Sequence, residues 1–390
     1  MKREFPTWPS FSDREIEAVG RILRSGKVNY WTGSEGKAFE REYAAAVGSR
    51  FGIALANGSV ALDLALKAVG VTSGDEVIVS PRSFIASASC VALCGAQPVF
   101  ADVDLDSGNI TGDTLRAVLS DQTKAVIPVH LGGMPCDMED ILSVAREHGL
   151  AVIEDCAQAH GAAYRGKPVG SFGDVGAFSF CQDKIISTGG EGGLVVTDRE
   201  HLWKRMWAYK DHGKSYDTVF NKQHPPGFRW LHESFGTNWR MTEIQAALGR
   251  IQLTRLDEAV SVRQRNAAIL TETLKDFDCV RVPTVGAEFT HSYYRYCAYL
   301  RPEQLKMGWD RDRIMNAITE GGVPCFSGTC SEIYREKAFE IAGTAPAERL
   351  PNARMLGDLS LMFPVYSTLS VSNMEFIASG AREVLTEASK

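Results

Sequence analysis

The stretch Ala151-Val152-Ile153-Glu154-Asp155-Cys156-Ala157-Gln158-Ala159-His160 sets the reading of the whole chain. Its first residues, Ala151 to Glu154, form a short apolar run with no helical period, ending on acids. Such a run suits a strand buried on both faces. Similar runs recur on either side: Phe51 to Ala56, Glu76 to Ser80, Pro98 to Ala101, Ala125 to Val129, Ala177 to Phe180 and Leu194 to Thr197. Helical patterns lie between them near 60–69, 84–95, 113–119 and 137–148. Strands alternating with helices predict an α/β fold, with a mostly parallel central sheet covered by helices.

Beyond this region the period changes. Met241, Ile244, Leu248, Ile251 and Leu256 share one helical face, so 241–276 is expected to be helical. Residues 277–390 contain an aromatic-rich strand around His291 to Tyr296, a helix at 310–320 and a closing helix near 373–388. They read as a smaller α+β C-terminal domain, and 1–276 as the large one. The segment 211–238, polar and aromatic with Pro225-Pro226-Gly227, reads as a lobe or loop of the large domain.

Composition narrows the functional classes. In 390 residues, 42 Lys and Arg stand against 48 Asp and Glu, a formal charge of −6. At roughly 150 residues per domain, that length predicts two to three domains. With 44% hydrophobic and 23% charged residues, the chain is too apolar to be disordered. Its mild acidity gives no broad attraction to nucleic acid or anionic lipid. No apolar run of about 18 residues predicts a membrane span. Met1 to Pro6 is charged and lacks a following apolar core, so no secretion signal is expected. Nine cysteines are scattered singly without a C-x-x-C pair, which suits a reducing cytoplasm and predicts neither disulfides nor a metal site.

Three elements carry possible chemistry. Asn57-Gly58-Ser59 joins a strand to a helix, where free N–H groups can hold a phosphate, or where Asn57 or Ser59 acts as a plain cap. Asp155 stands at a strand's carboxyl end, placed to pair with a cationic ring nitrogen or to cap a following helix. Lys184 follows the strand ending Phe178-Ser179-Phe180 and precedes Gly189-Gly190-Glu191-Gly192-Gly193. Among apolar neighbours such a lysine can lose its proton and form an imine with an aldehyde, or it is a solvated loop lysine and the glycines a hairpin device. Together, a phosphate cradle, an acid and a lysine are what pyridoxal 5'-phosphate requires.

The chain also resembles the DegT/DnrJ/EryC1/StrS family of sugar aminotransferases, from Trp31-Thr32-Gly33 to Phe363-Pro364-Val365-Tyr366. The shared motifs include Ala56-Asn57-Gly58-Ser59-Val60-Ala61-Leu62, Ser83-Phe84-Ile85-Ala86-Ser87-Ala88, Glu154 to Gly161, the Lys184 loop, and Gly236-Thr237-Asn238-Trp239-Arg240-Met241-Thr242-Glu243. The resemblance implies the fold-type-I architecture of pyridoxal-phosphate enzymes. It implies Lys184 as the Schiff-base lysine and general base, and Asp155 as the partner of the ring nitrogen. Gln158 corresponds to the partner of the ring hydroxyl and Phe84 to the aromatic on the ring face. Gly58, Ser59 and Ser179 correspond to the phosphate binders. Asn238 corresponds to a residue that reaches the phosphate from the neighbouring subunit, which implies a homodimer with shared sites.

The implied reaction moves an amino group from L-glutamate to a nucleotide-activated keto-sugar, in amino-sugar or surface-polysaccharide (lipopolysaccharide) biosynthesis. A sugar dehydratase is the rival lyase reading, but such relatives carry His where this chain has Lys184. A non-catalytic, cofactor-binding regulator is the other rival, and no DNA-binding module accompanies the motifs. A nicotinamide dehydrogenase lacks its G-x-G-x-x-G. His160 is expected to pack or hydrogen-bond rather than act as a base, Arg240 serves a structural or functional ion pair, and His212 reads as a loop residue. Two departures from the commonest family pattern stand out: Cys181-Gln182-Asp183 before the lysine, and Tyr294-Arg295 where many members have His. Both leave the sugar preference open and are expected to leave the cofactor chemistry untouched.

Overall fold

The computed structural model describes residues 4–390. Strands β1 (Phe51–Leu55), β2 (Glu76–Val79), β3 (Gln97–Phe100), β4 (Thr123–Ile127) and β5 (Ala151–Asp155) follow one another along the chain. A short hairpin, β6 (Ala163–Tyr164) and β7 (Lys167–Pro168), precedes β8 (Val175–Ser179) and β9 (Gly193–Thr197). Seven of these form one sheet in the order β1-β9-β8-β5-β4-β2-β3. β9 is antiparallel to both neighbours, and the remaining pairs are parallel. The six strands other than β9 therefore end at one edge of the sheet, where open α/β sheets bind ligands.

The sheet is covered on both faces, as its doubly apolar strands require. Ile53, Leu55 and Val195 point into one core with Leu62, Leu66 and Trp207. Their alternates Ala54, Leu194 and Val196 pack against Phe39, Tyr43 and Met241 on the other side. Further along, Val126 and Val152 meet Met138, Ile141 and Val144 of the helix Met138–His148. Burying each branched aliphatic side chain stabilises the fold by about 1.5–3 kcal/mol.

The helical stretch after residue 241 is two helices, Glu243–Leu253 and Leu256–Leu274, separated at Thr254-Arg255. Thr242 starts the first, its hydroxyl accepting from Gln245 N at 3.3 Å. The second runs between cores: Ala267, Leu270 and Leu274 pack with Tyr296, Phe363 and Ile377. That second core is built on a three-stranded antiparallel sheet. Its strands are β10 (Val280–Arg281), β12 (Tyr296–Leu300) and β13 (Ser360–Phe363). The helices Arg311–Glu320 and Val371–Ala388 flank it. The intervening β11 (Phe289–Thr290) crosses over to pair with β6 of the first part. Residues 211–238 hold one short helix, Tyr216–Phe220, and expose Phe228, Trp230 and Phe235. Among the described residues, no helix is long and apolar enough to cross a membrane.

Candidate active site

The candidate phosphate cradle is a product of close packing. Asn57 caps the helix Gly58–Val69, its Oδ1 accepting from Val60 N at 3.0 Å. That leaves the N–H groups of Gly58 and Ser59 without a partner among the described residues. A Cβ on Gly58 would stand 2.5 Å from the Cβ of Ser179, and one on Gly193 2.1 Å from the Asn57 carbonyl oxygen. Glycine at both places lets the helix N-terminus close against the ends of β8 and β9. A free helix N-terminus beside two serines suits an anion.

His160 fixes the end of β8. Its Nε2–H donates to the Ser179 carbonyl at 2.8 Å, and the Tyr43 hydroxyl donates to Nδ1 at 2.6 Å. Burial pulls its pKa down to about 4, against the smaller upward pull of the Ser179 carbonyl. The imidazole is thus neutral and fully occupied, a positioning group and not a base.

Asp155, the last residue of β5, is buried. Its Oδ2 accepts from Ser87 Oγ at 2.7 Å and its Oδ1 from Ala157 N at 3.1 Å. Both donors are neutral, and no cation of the described residues pairs with it. No helix follows for it to cap, because the chain turns at Ala157. A buried carboxylate without a counter-ion is costly. A protonated ring nitrogen would supply the missing charge.

Phe84, Gln158 and Lys184 line one cleft of about 550 Å³ with Ser83, Asp183 and Tyr294. Phe84 is 67% exposed, which excludes a role as core filler. Gln158 Oε1 accepts from Gly132 N at 2.8 Å, leaving its NH₂ end to donate. Trp8 Nε1 donates to the Lys184 carbonyl at 3.0 Å, tying the N-terminal segment to the lysine loop.

The Lys184 amine is not in the apolar setting expected of it. Its Nζ lies 3.4 Å from the Tyr294 hydroxyl and 3.5 Å from Asp183 Oδ1. The Tyr294 hydroxyl also donates to Asp183, and Arg295 Nη2 stands 3.7 Å from Asp183 Oδ2. Burial pulls the lysine pKa down, but Tyr294 and Asp183 outweigh it, so the ammonium is held above its ordinary value. In the free protein this setting favours the ammonium over the neutral amine. The departures at 183 and 294 thus place a carboxylate and a phenol beside the lysine amine. The acid directly before Lys184 was the available signal.

Asn238 is exposed and stands outside the cleft lining of its own chain. Its segment extends the β1 edge, with Ala56 N donating to the Trp239 carbonyl at 2.9 Å. Arg240 pairs with Asp211 at 2.6 Å and is a structural ion-pair partner. His212 lies exposed in the adjoining loop. A buried group of His130, Glu154 and Cys156 has the composition of a metal site. Its donor atoms are already used: Glu154 accepts from His130 Nε2 at 3.1 Å and from the amides of Gly170, Phe172 and Gly173 at 2.7 Å.

Comparison with known proteins agrees with this geometry. The profile of the DegT/DnrJ/EryC1/StrS aminotransferase family matches residues 9–381. The chain is 35% identical to the spore coat polysaccharide biosynthesis protein SpsC of Bacillus subtilis (strain 168), over 97% of this chain and 96% of that one. It is 34% identical to the UDP-N-acetyl-3-dehydro-alpha-D-glucosamine 3-aminotransferase of Acidithiobacillus ferrooxidans, over 96% and 94%. The X-ray structure of an aminotransferase from Psychrobacter cryohalolentis superposes with a TM-score of 0.97 at 51% identity, covering 98% of this chain and 99% of that one. With cradle, acid and lysine on one sheet edge, and this match over nearly its whole length, the chain belongs to the DegT/DnrJ/EryC1/StrS family and is a pyridoxal-phosphate-dependent aminotransferase.

Proposed function

We propose that the enzyme transfers an amino group from L-glutamate to a nucleotide-activated keto-sugar, in the biosynthesis of an amino sugar for a surface polysaccharide. One relative is named for a UDP-linked 3-dehydro sugar and another for spore coat polysaccharide synthesis, which supports this acceptor class. The observation that carries the reading is Asp155, a buried carboxylate lacking a cation at the same strand edge as Lys184.

When bound, pyridoxal phosphate supplies a conjugated electron sink beside the carbon that loses its proton. In this reading the Gly58 and Ser59 amides, with the Ser59 and Ser179 hydroxyls, hold its phosphate. Phe84 would pack against the cofactor ring, and the Gln158 amide would donate to its hydroxyl. Asp155 keeps the ring nitrogen protonated, a preorganised electrostatic contribution. Lys184 Nζ holds the cofactor between turnovers. As a neutral amine it would take the proton from the donor's α-carbon and deliver one to the acceptor carbon. Asn238 serves the site of a second copy, in a homodimer with shared sites.

The test is to incubate the amino-loaded enzyme with a panel of nucleotide keto-sugars and follow the visible absorbance of the lysine-bound cofactor. One acceptor should restore that absorbance and yield an amino sugar. Elimination of water from the sugar without amine transfer would favour the lyase reading instead.

A further inference from the structure

A second, smaller cavity adjoins the cleft. Arg295 and Thr329 line both, and Arg82 lines the inner one. Arg82 is 1% exposed and makes no ion pair among the described residues. Its Nε donates to Ser331 Oγ at 2.9 Å, and Nη1 and Nη2 reach the Tyr299 hydroxyl only at 3.4 Å. Every partner is neutral, so a buried guanidinium stands without its counter-charge, which is costly unless an anion completes it.

The other charged groups around the cavity do not supply that anion. Asp106 is engaged by Arg281 at 3.3 Å. Arg295 meets Asp183 at 3.7 Å, too far for a direct hydrogen bond, so its fork is incompletely used. His291 accepts from Tyr293 N at 2.9 Å, and burial keeps it neutral. Size narrows the ligand. The cavity is about 50 Å³, and at roughly 10–15 Å³ for each water-sized centre it admits a carboxylate and not a nucleotide.

We infer that Arg82 and Arg295 form a carboxylate-binding subsite beside Lys184, which seats an anionic arm of one of the two reactants. The inference rests on the aminotransferase reading and deepens it. The carboxylate comes either from the amino-acid donor, which must bring one to the lysine, or from an acidic sugar. A guanidinium fork suits a planar carboxylate in both cases.

The test uses the cofactor-loaded enzyme and unreactive probes in a calorimeter. Glutarate stands for the donor, and UDP-glucuronic acid against UDP-glucose for the sugar. Glutarate binding tenfold or more weaker in both Arg82→Gln and Arg295→Gln supports a donor subsite. A preference for UDP-glucuronic acid over UDP-glucose that is lost in both variants supports a sugar subsite. Arg82→Lys, which keeps the charge, should retain at least part of the binding. If neither probe distinguishes Arg295→Gln from the parent, the subsite is overturned, and this partly exposed position still decides if Arg82→Gln fails to fold. The family reading is checked separately: the parent's cofactor absorbance must respond to L-glutamate, whatever the arginine variants do.

Discussion

The carboxylate Oδ1 of Asp183 stands 3.5 Å from the Nζ of Lys184, its neighbour in the chain. The contact has a consequence for pH. Burial lowers the lysine pKa, while the Tyr294 hydroxyl and the Asp183 carboxylate raise it by more. The amine must be neutral to attack an aldehyde, so cofactor attachment increases as pH rises through the lysine pKa. In Asp183→Asn one upward pull is gone, and the midpoint should move to lower pH. Titrating the visible absorbance of the attached cofactor in parent and variant checks this. Coincident titration curves would remove Asp183 from any role at the lysine.

Replacing the lysine itself should separate binding from chemistry. Lys184→Ala leaves the cradle, Asp155 and Phe84 intact, so the variant should fold and bind pyridoxal phosphate without the covalent link. Turnover should fall by on the order of 10⁴-fold or more, since anchor and proton carrier are lost together. Equilibrium dialysis gives the retained cofactor, and amino-sugar formation gives the rate. Transamination surviving in this variant would defeat the assignment.

The sheet and the strand-end residues were legible because each depends on local pattern. Both-face apolar runs located β1 to β5, β8 and β9 nearly to the residue, and the parallel order then carried Asn57, Asp155 and Ser179 to one edge. What pattern could not reach was long-range. Tyr294 meets Lys184 across 110 residues, through the path of the segment that leads into β12. Arg82 is unremarkable in the sequence, and only the fold shows that its hydrogen-bond partners among the described residues are all neutral. The 241–276 stretch keeps its apolar face across Thr254-Arg255, so periodicity alone gave one helix where there are two.

Asp155 offers a test of the electron-sink role. Asp155→Asn keeps the shape and the acceptor for Ser87 but removes the charge. The ring nitrogen would lose its stabilised proton, and turnover should drop on the order of 10²–10³-fold, the range for loss of one preorganised electrostatic partner. The visible absorbance should still show cofactor attached to Lys184. A variant that turns over like the parent would mean that the buried carboxylate serves folding alone.

His160 and His291 should make stability depend on pH. Burial lowers their pKa values from 6.5 to about 4 and about 3, so the folded state binds fewer protons than the unfolded state in that range. Their contribution is complete above about pH 6.5 and is lost as pH falls through the folded values. For His160 the loss amounts to about 3 kcal/mol between pH 6.5 and 4. Urea unfolding at pH 7 and pH 5 captures about 2 kcal/mol of it. His160→Leu should be less stable at pH 7 by about 1–3 kcal/mol, because the Ser179 carbonyl and Tyr43 hydroxyl lose their partner. It should also depend less on pH. Parallel pH profiles would show that His160 is not the titrating group.

Asn238 tests whether two chains share a site. The 211–238 segment beside it exposes Phe228 by 80%, Trp230 by 84% and Phe235 by 99%, an apolar surface suited to a second copy. If Asn238 serves the neighbour's phosphate, Asn238→Asp sets a like charge against it and should weaken cofactor retention about tenfold or more. Mixing this variant with Lys184→Ala then discriminates. In a hybrid dimer one site carries both changes and the other carries neither, so random pairing should leave about a quarter of all sites intact. If Asn238 acts within its own chain, every site in the hybrid has one defect and activity stays at the level of the separate variants. Activity after co-refolding, read against each variant refolded alone, decides between the two arrangements.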